Sequence, residues 1–217
     1  ENVKGFKTEK FVNNDRNYRT KIGAELHSTN FRELKLYSSS WEQIKDRLYE
    51  NEYFGGELKK TRLAKDNMPA NISGISGEIE KANAVFDYVK NTFTWNKDRG
   101  IYTEDGIKKM LETKTGNAAE INLFLVMMLR EAGIKADPLT ISTVSNGFIN
   151  IASPNVSNMN FVIAAIQTKD GFHLYDATSK QSSIDQLPPR DWNQFGILMN
   201  KDKVQQLSMI NAKTSFT

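Results

Sequence analysis

The chain has 217 residues, 39% hydrophobic and 25% charged, and its 29 basic and 26 acidic side chains leave a net charge of +3. Such a composition suits one medium domain, or a domain with an attached piece, and argues against a disordered, collagen-like or membrane-spanning chain. With no cysteine there is no disulfide, thiolate metal site or cysteine nucleophile, and two histidines, His27 and His173, are too few for a multi-histidine metal centre.

From Tyr18 to Ser28 apolar and polar residues alternate, with Ile22, Ala24 and Leu26 on one face and Lys21, Glu25 and His27 on the other. A period of two predicts a half-buried strand with His27 on its polar face, and a second strand is expected around Phe31 to Tyr37. Ser39 followed by Glu42 forms a capping-box pattern, after which Trp41, Ile44 and Leu48 fall at helical spacing and Gly55-Gly56 is expected to stop the helix. Lys59-Lys60-Thr61-Arg62 is the densest basic stretch and reads as a solvated helix face, not a nucleic-acid footprint. Further helices are expected from about Gly77 to Thr92 and from Glu104 to Lys114.

The next helix differs in kind. Asn117 and Glu120 supply an N-terminal cap and Gly133 a C-terminal stop, and the residues from Ile121 to Leu129 are apolar on nearly every side, with Asn122 interrupting them. Such a helix belongs at the centre of a core. At nine residues the run is far short of the ~20 needed to span a bilayer. Strands follow at Ile134 to Thr143, Phe148 to Ala152, Phe161 to Thr168 and Phe172 to Asp176, the last two joined across Lys169-Asp170-Gly171. After a polar passage from Ser182 to Pro189, short strands are expected at Ile197 to Met199 and Val204 to Met209. Helices followed by an antiparallel sheet give an α+β fold.

The central stretch resembles a transglutaminase-like domain of the papain-related superfamily, which also includes bacterial cysteine proteases. The residues that carry the resemblance are Thr115-Gly116-Asn117-Ala118-Ala119-Glu120, Leu129-Arg130-Glu131-Ala132-Gly133-Ile134, Phe161-Val162-Ile163-Ala164 and Leu174-Tyr175-Asp176-Ala177-Thr178. In that family a Gly-x-Cys opens the buried helix, a His opens one strand and an Asp closes the next. A thiol at a helix N-terminus ionises readily, the His carries the proton and the Asp orients the ring. Here the Cys position is Ala118, the His position is Asn160, and only Asp176 is retained. A methyl group has no lone pair and an amide is no general base, so the resemblance implies a catalytically inactive member.

A remnant groove lined by Trp95, Asn117, Ala118, Asn160 and Asp176 is the candidate binding site, for a peptide or a carbohydrate. It requires a cleft at Ala118. Plainer roles stand beside it: Asp176 capping a turn before Ala177-Thr178, Asn160 tying down a strand end, Trp95 in the core and Glu120 in a capping box. A hydrolase using Glu120 and Asp176 as an acid/base pair is the alternative. His173, three residues before Asp176, is expected to face away from it. No cofactor and no metal is expected.

By the same resemblance, residues 1–38 are expected to end a preceding β-rich module, 39–182 to form the domain, and 183–217 to extend toward a following module. The chain begins at Glu1, so it is expected to be a piece of something longer, and the resemblance implies that the parent is a bacterial envelope protein of Bacteroidetes type, in the periplasm or at the cell surface. Neighbouring β-rich modules of that parent are the expected partners, and a pure spacer role is the second reading.

Overall fold

In the computed structural model the described residues are 40–209, together with 5, 7, 10, 12, 14–19, 28–31 and 33–36. Near the N-terminus a 3-10 turn, Asp15–Tyr18, is followed by a hairpin of β1, Ser28–Phe31, and β2, Glu33–Leu36. Tyr18 thus closes a turn and does not open a strand. Residues 20–27 of the alternating segment, His27 included, lie outside the described residues.

Helix α1 spans Trp41–Glu50. Its cap is one residue later than expected. Ser40 has extended dihedrals and accepts from the Gln43 N–H at 3.2 Å, while Gln43 Oε1 accepts from the Ser40 N–H. Nor do the paired glycines stop the helix. It ends at Asn51, whose side chain accepts from the Tyr53 N–H at 2.8 Å and starts a π-helical turn, Glu52–Gly56. Gly55 permits this packing, since a Cβ there would fall 2.0 Å from the Tyr49 carbonyl oxygen. The basic stretch leads into α2, Thr61–Asp66, with Arg62 exposed as expected.

Helices α3, Glu78–Thr92, and α4, Ile107–Thr113, surround α5, Ala118–Glu131. Nearly every residue of α5 is buried, because α2, α3 and α4 pack on one side and the sheet on the other. A Schellman pair closes it: Gly133 takes a φ of +81° and donates to Arg130, and Ile134 donates to Leu129.

The main sheet has five strands in the order β7-β6-β5-β8-β9, all antiparallel: β5 Ala136–Ile141, β6 Phe161–Thr168, β7 Gly171–Tyr175, β8 Phe195–Met199 and β9 Val204–Ser208. In β6 the alternation separates two cores. Val162, Ala164 and Ile166 pack with the helices, while Phe161, Ile163 and Ala165 pack on the far side with Leu139, Leu187, Leu198 and Leu207. Mixed helices against an antiparallel sheet make the fold α+β.

One further expectation is corrected. Phe148 to Ala152 form no strand, because their polar groups are taken by other partners: the Phe148 N–H donates to Asn17, and the Ile151 carbonyl accepts from Trp41 Nε1. Strand β8 pairs with β5, and β9 pairs with β8, so the sheet continues past residue 182 as far as Ser208.

Candidate functional site

The site is built around the N-terminus of α5. Asn117 caps the helix by accepting from the Glu120 N–H at 2.9 Å, and Glu120 Oε2 accepts from the Asn117 N–H at 2.7 Å. Glu120 Oε1 accepts three more backbone N–H groups, from Glu104 at 3.1 Å, Asp105 at 2.8 Å and Gly106 at 3.0 Å. This is why α4 starts at Ile107 and not at Glu104. Glu120 is therefore a structural acceptor joining two helix starts. A Cβ on Gly116 would meet Glu120 Oε2 and Met110 Cγ, each at 2.8 Å, so a glycine is needed two residues before Ala118.

Ala118 is wholly buried. Its N–H donates to the Asp98 carbonyl at 3.1 Å, which also accepts from Trp95 Nε1 at 2.9 Å. Trp95 lies in a two-residue strand, β3, Thr94–Trp95, paired in parallel with β4, Thr115–Gly116. The aromatic side chain is thereby set beside the helix start. It makes an edge contact with Phe161, ring centroids 5.9 Å apart, and packs against the far-side core that contains Ala118.

Asn160, just ahead of β6, points its amide at the end of β5. Its Oδ1 accepts from the Thr143 N–H at 2.8 Å, and its Nδ2 donates to Thr143 Oγ1 at 3.0 Å. Asp176 follows β7 and is wholly buried. Its Oδ1 accepts from Asn122 Nδ2 at 2.9 Å and from the Thr178 N–H at 3.0 Å, the second closing a local turn. Asn122 also donates to the Val162 carbonyl and accepts from the Ala177 N–H, each at 2.9 Å, so one buried amide ties α5 to β6 and to the end of β7. Its polar break in an apolar helix was the sequence signal for this role.

The residue that sequence reasoning missed is Arg190. Its guanidinium carbon lies 4.7 Å from the Trp95 ring centroid and 5.2 Å from that of Phe161. Its NH2 group donates to Asp176 Oδ2, and to Thr178 Oγ1 at 2.6 Å. The space bounded by Trp95, Phe161 and Asp176 is thus occupied by the chain's own cation. Asp191 is wholly buried beside it, 3.4 Å from Arg190 Nε. Burial first, and then the neighbouring Asp176 charge, push the Asp191 carboxyl well above the ordinary carboxylate range, against the opposing pull of Arg190 and Arg99.

The other sequence candidates fall elsewhere. His173 Nδ1 pairs with Asp185 at 2.7 Å, and Asp185 Oδ1 accepts from the Leu174 N–H, an arrangement separate from Asp176. Among the described residues, no three His, Cys, Asp or Glu side chains group to hold a metal, and no helix is long and apolar enough to cross a membrane.

Residues 66–157 match the transglutaminase-like superfamily, a span that includes Gly116 and Ala118 and ends before Asn160. No curated protein matches the chain. Among solved structures, one similar chain is a proposed protease from Parabacteroides distasonis, with 14% identity and a TM-score of 0.49, covering 78% of this chain and 30% of that one. Another is a proposed cysteine protease from Cytophaga hutchinsonii, with 12% identity and a TM-score of 0.42, covering 80% of this chain and 58% of that one. This chain therefore corresponds to under two thirds of either protein's length.

Proposed function

We propose that this chain, whose residues 66–157 match the transglutaminase-like superfamily, is catalytically inactive and acts as a structural scaffold within a larger protein. The observation that carries this reading is Arg190, seated against Trp95 and Phe161 and bonded to Asp176, together with the full burial of Ala118. Covalent acyl transfer needs a nucleophile at the helix start, a base beside it and room for a carbonyl carbon between them. Ala118 offers no lone pair. The Asn160 amide bonds Thr143 through both its oxygen and its nitrogen. Asp176 orients an arginine instead of an imidazole.

Scaffolding is favoured over binding in a remnant groove by the same geometry. Ala118 and Asp176 have no solvent contact, and a ligand would have to displace a cation held by a carboxylate, a hydroxyl and two aromatic rings. A hydrolase using Glu120 and Asp176 is not favoured either. Glu120 accepts four backbone N–H groups, Asp176 is bonded to Asn122, Thr178 and Arg190, and the two carboxylates share no hydrogen-bond partner. The proposal places the domain in the bacterial periplasm or at the cell surface, next to β-rich modules of the parent chain, on the family resemblance alone.

Two assays of the unmodified protein test this reading. Incubation with peptide, amide-transfer and glycoside substrates is expected to give no turnover. Titration with peptide and oligosaccharide mixtures is expected to leave the tryptophan fluorescence and the melting temperature unchanged. Turnover, or a saturable shift abolished by altering Trp95, would overturn it.

A further inference from the structure

The loop after β5, residues 142–148, collects hydrogen bonds from widely separated parts of the chain. Asn160 holds its start through Thr143 at 2.8 and 3.0 Å. The segment carrying Arg190 holds one side: the Val144 N–H donates to the Arg190 carbonyl at 2.8 Å, and Asn193 Nδ2 donates to the carbonyls of Ser142 at 2.8 Å and Gly147 at 2.9 Å. Within the loop, Ser142 Oγ donates to the Gly147 carbonyl at 2.5 Å, and the Asn146 N–H donates to the Thr143 carbonyl at 2.8 Å. The N-terminal turn grips the remaining side. Asn14 Nδ2 donates to the Val144 carbonyl, and the Phe148 N–H donates to Asn17 Oδ1, each at 2.9 Å.

We propose that this loop is a joint that clamps the segment Asn14–Tyr18 to the domain body, and that Asn160, where the family places a histidine, is the positioning residue that shapes the loop to receive it. The proposal deepens the scaffolding reading and rests on it for its biological sense. Val144 makes the coupling direct. Its N–H is bonded to the Arg190 segment and its carbonyl to Asn14, so a shift of the loop breaks both contacts. Asn14 is nearly buried, so water does not readily replace its bond. Gly147 fits the contact closely, with a φ of +98° and room for no Cβ, which would fall 2.9 Å from Asn17 Oδ1. Thr143 presents an N–H and a hydroxyl oxygen side by side, and the amide meets them in one plane, its oxygen accepting and its nitrogen donating. The position left without catalytic use thereby holds the loop on which the N-terminal segment sits.

The test is amide hydrogen exchange at the Phe148 N–H, read by NMR in the full chain, with amides in the middle of α5 reporting global opening. Asn17→Ala and Asn160→Ala are each expected to speed Phe148 exchange by about tenfold or more beyond any change in α5, because local opening precedes global unfolding. Since both act on one contact, the double variant is expected to be no faster than the faster single. Ile166→Val, a buried change in β6 away from the loop, is expected to leave Phe148 unchanged relative to α5. Should Asn160→Ala not fold, Thr143→Val removes only the hydroxyl that Asn160 donates to and gives the same readout. Phe148 exchange at the wild-type rate in Asn160→Ala or Thr143→Val, or equal acceleration by Ile166→Val, would overturn the joint. Turnover by the unmodified protein would instead defeat the scaffolding reading and leave this coupling measurable.

Discussion

Arg190 donates to Asp176 from the far end of the domain's sequence, with the Trp95 ring against its guanidinium. The pair is asymmetric: Asp176 is wholly buried, whereas Arg190 retains some exposure. Removing the cation leaves a buried carboxylate beside a second buried carboxyl, Asp191. Arg190→Ala is therefore expected to destabilise the fold by about 3 kcal/mol, the low end for breaking a buried pair. Arg190→Lys should recover less than half of that, because lysine lacks both the planar fork and the flat face that meets Trp95. Urea denaturation of the three proteins checks both expectations.

Stability should also respond to pH through Asp191. Its carboxyl is pushed well above its ordinary value of 3.8 by burial and by Asp176, so the native state holds a proton that the unfolded chain releases. The contribution is fully present below pH 3.8 and is lost as pH rises through the elevated native value. Asp191→Asn, which keeps the shape and cannot ionise, is expected to remove this component and to be relatively more stable on the alkaline side. Melting curves of the two proteins from acid to alkaline pH should diverge as pH rises; parallel curves would contradict the assignment.

Glu120 should prove structural. Glu120→Ala leaves the N–H groups of Glu104, Asp105 and Gly106 without their acceptor, together with that of Asn117. A loss of about 2 kcal/mol is expected, since an orphaned buried donor costs about 1–3 kcal/mol and the Asn117 N–H is buried, whereas the other three are partly reached by water. Denaturant titration reads the loss. Any accompanying change in a hydrolytic rate would revive the acid/base alternative.

Gly116 offers a steric test of the same corner. Gly116→Ala puts a methyl 2.8 Å from both Glu120 Oε2 and Met110 Cγ. About 1–3 kcal/mol of destabilisation is expected, as for other overpacked sites. The companion variant Met110→Ala/Gly116→Ala should cost less than the sum of the two single changes, because one of the two clashes is then relieved.

Much of this architecture was readable from local pattern. The Asn117–Glu120 spacing located the start of α5, Gly133 its end, and alternation in Phe161 to Thr168 the strand that divides the two cores. These signals are local because the hydrogen bonds behind them join residues a few positions apart. What was missed depends on distance along the chain. Arg190 reaches Trp95 and Asp176 only because the segment before β8 folds back, held by the Asp191 N–H on the Pro188 carbonyl and Trp192 Nε1 on the Leu187 carbonyl. Phe148 to Ala152 carry the apolar content of a strand, yet their bonds go to Asn17 and Trp41, which no short-range pattern announces. The Ser40 cap differed from the expected Ser39 because neighbouring serines each have an acidic or amide residue three positions on, and backbone geometry chooses between them.

The most direct test of the central claim restores the chemistry and asks whether the pocket can use it. In Ala118→Cys/Asn160→His the new thiol sits at the start of α5, where an open site would lower its pKa and speed its alkylation at neutral pH. With Arg190 seated against Trp95 and Asp176, alkylation is expected to be much slower than for free cysteine, with no amide hydrolysis or transfer. Rapid alkylation with an acid-shifted pH profile, or turnover of either kind, would contradict a filled and inactive site.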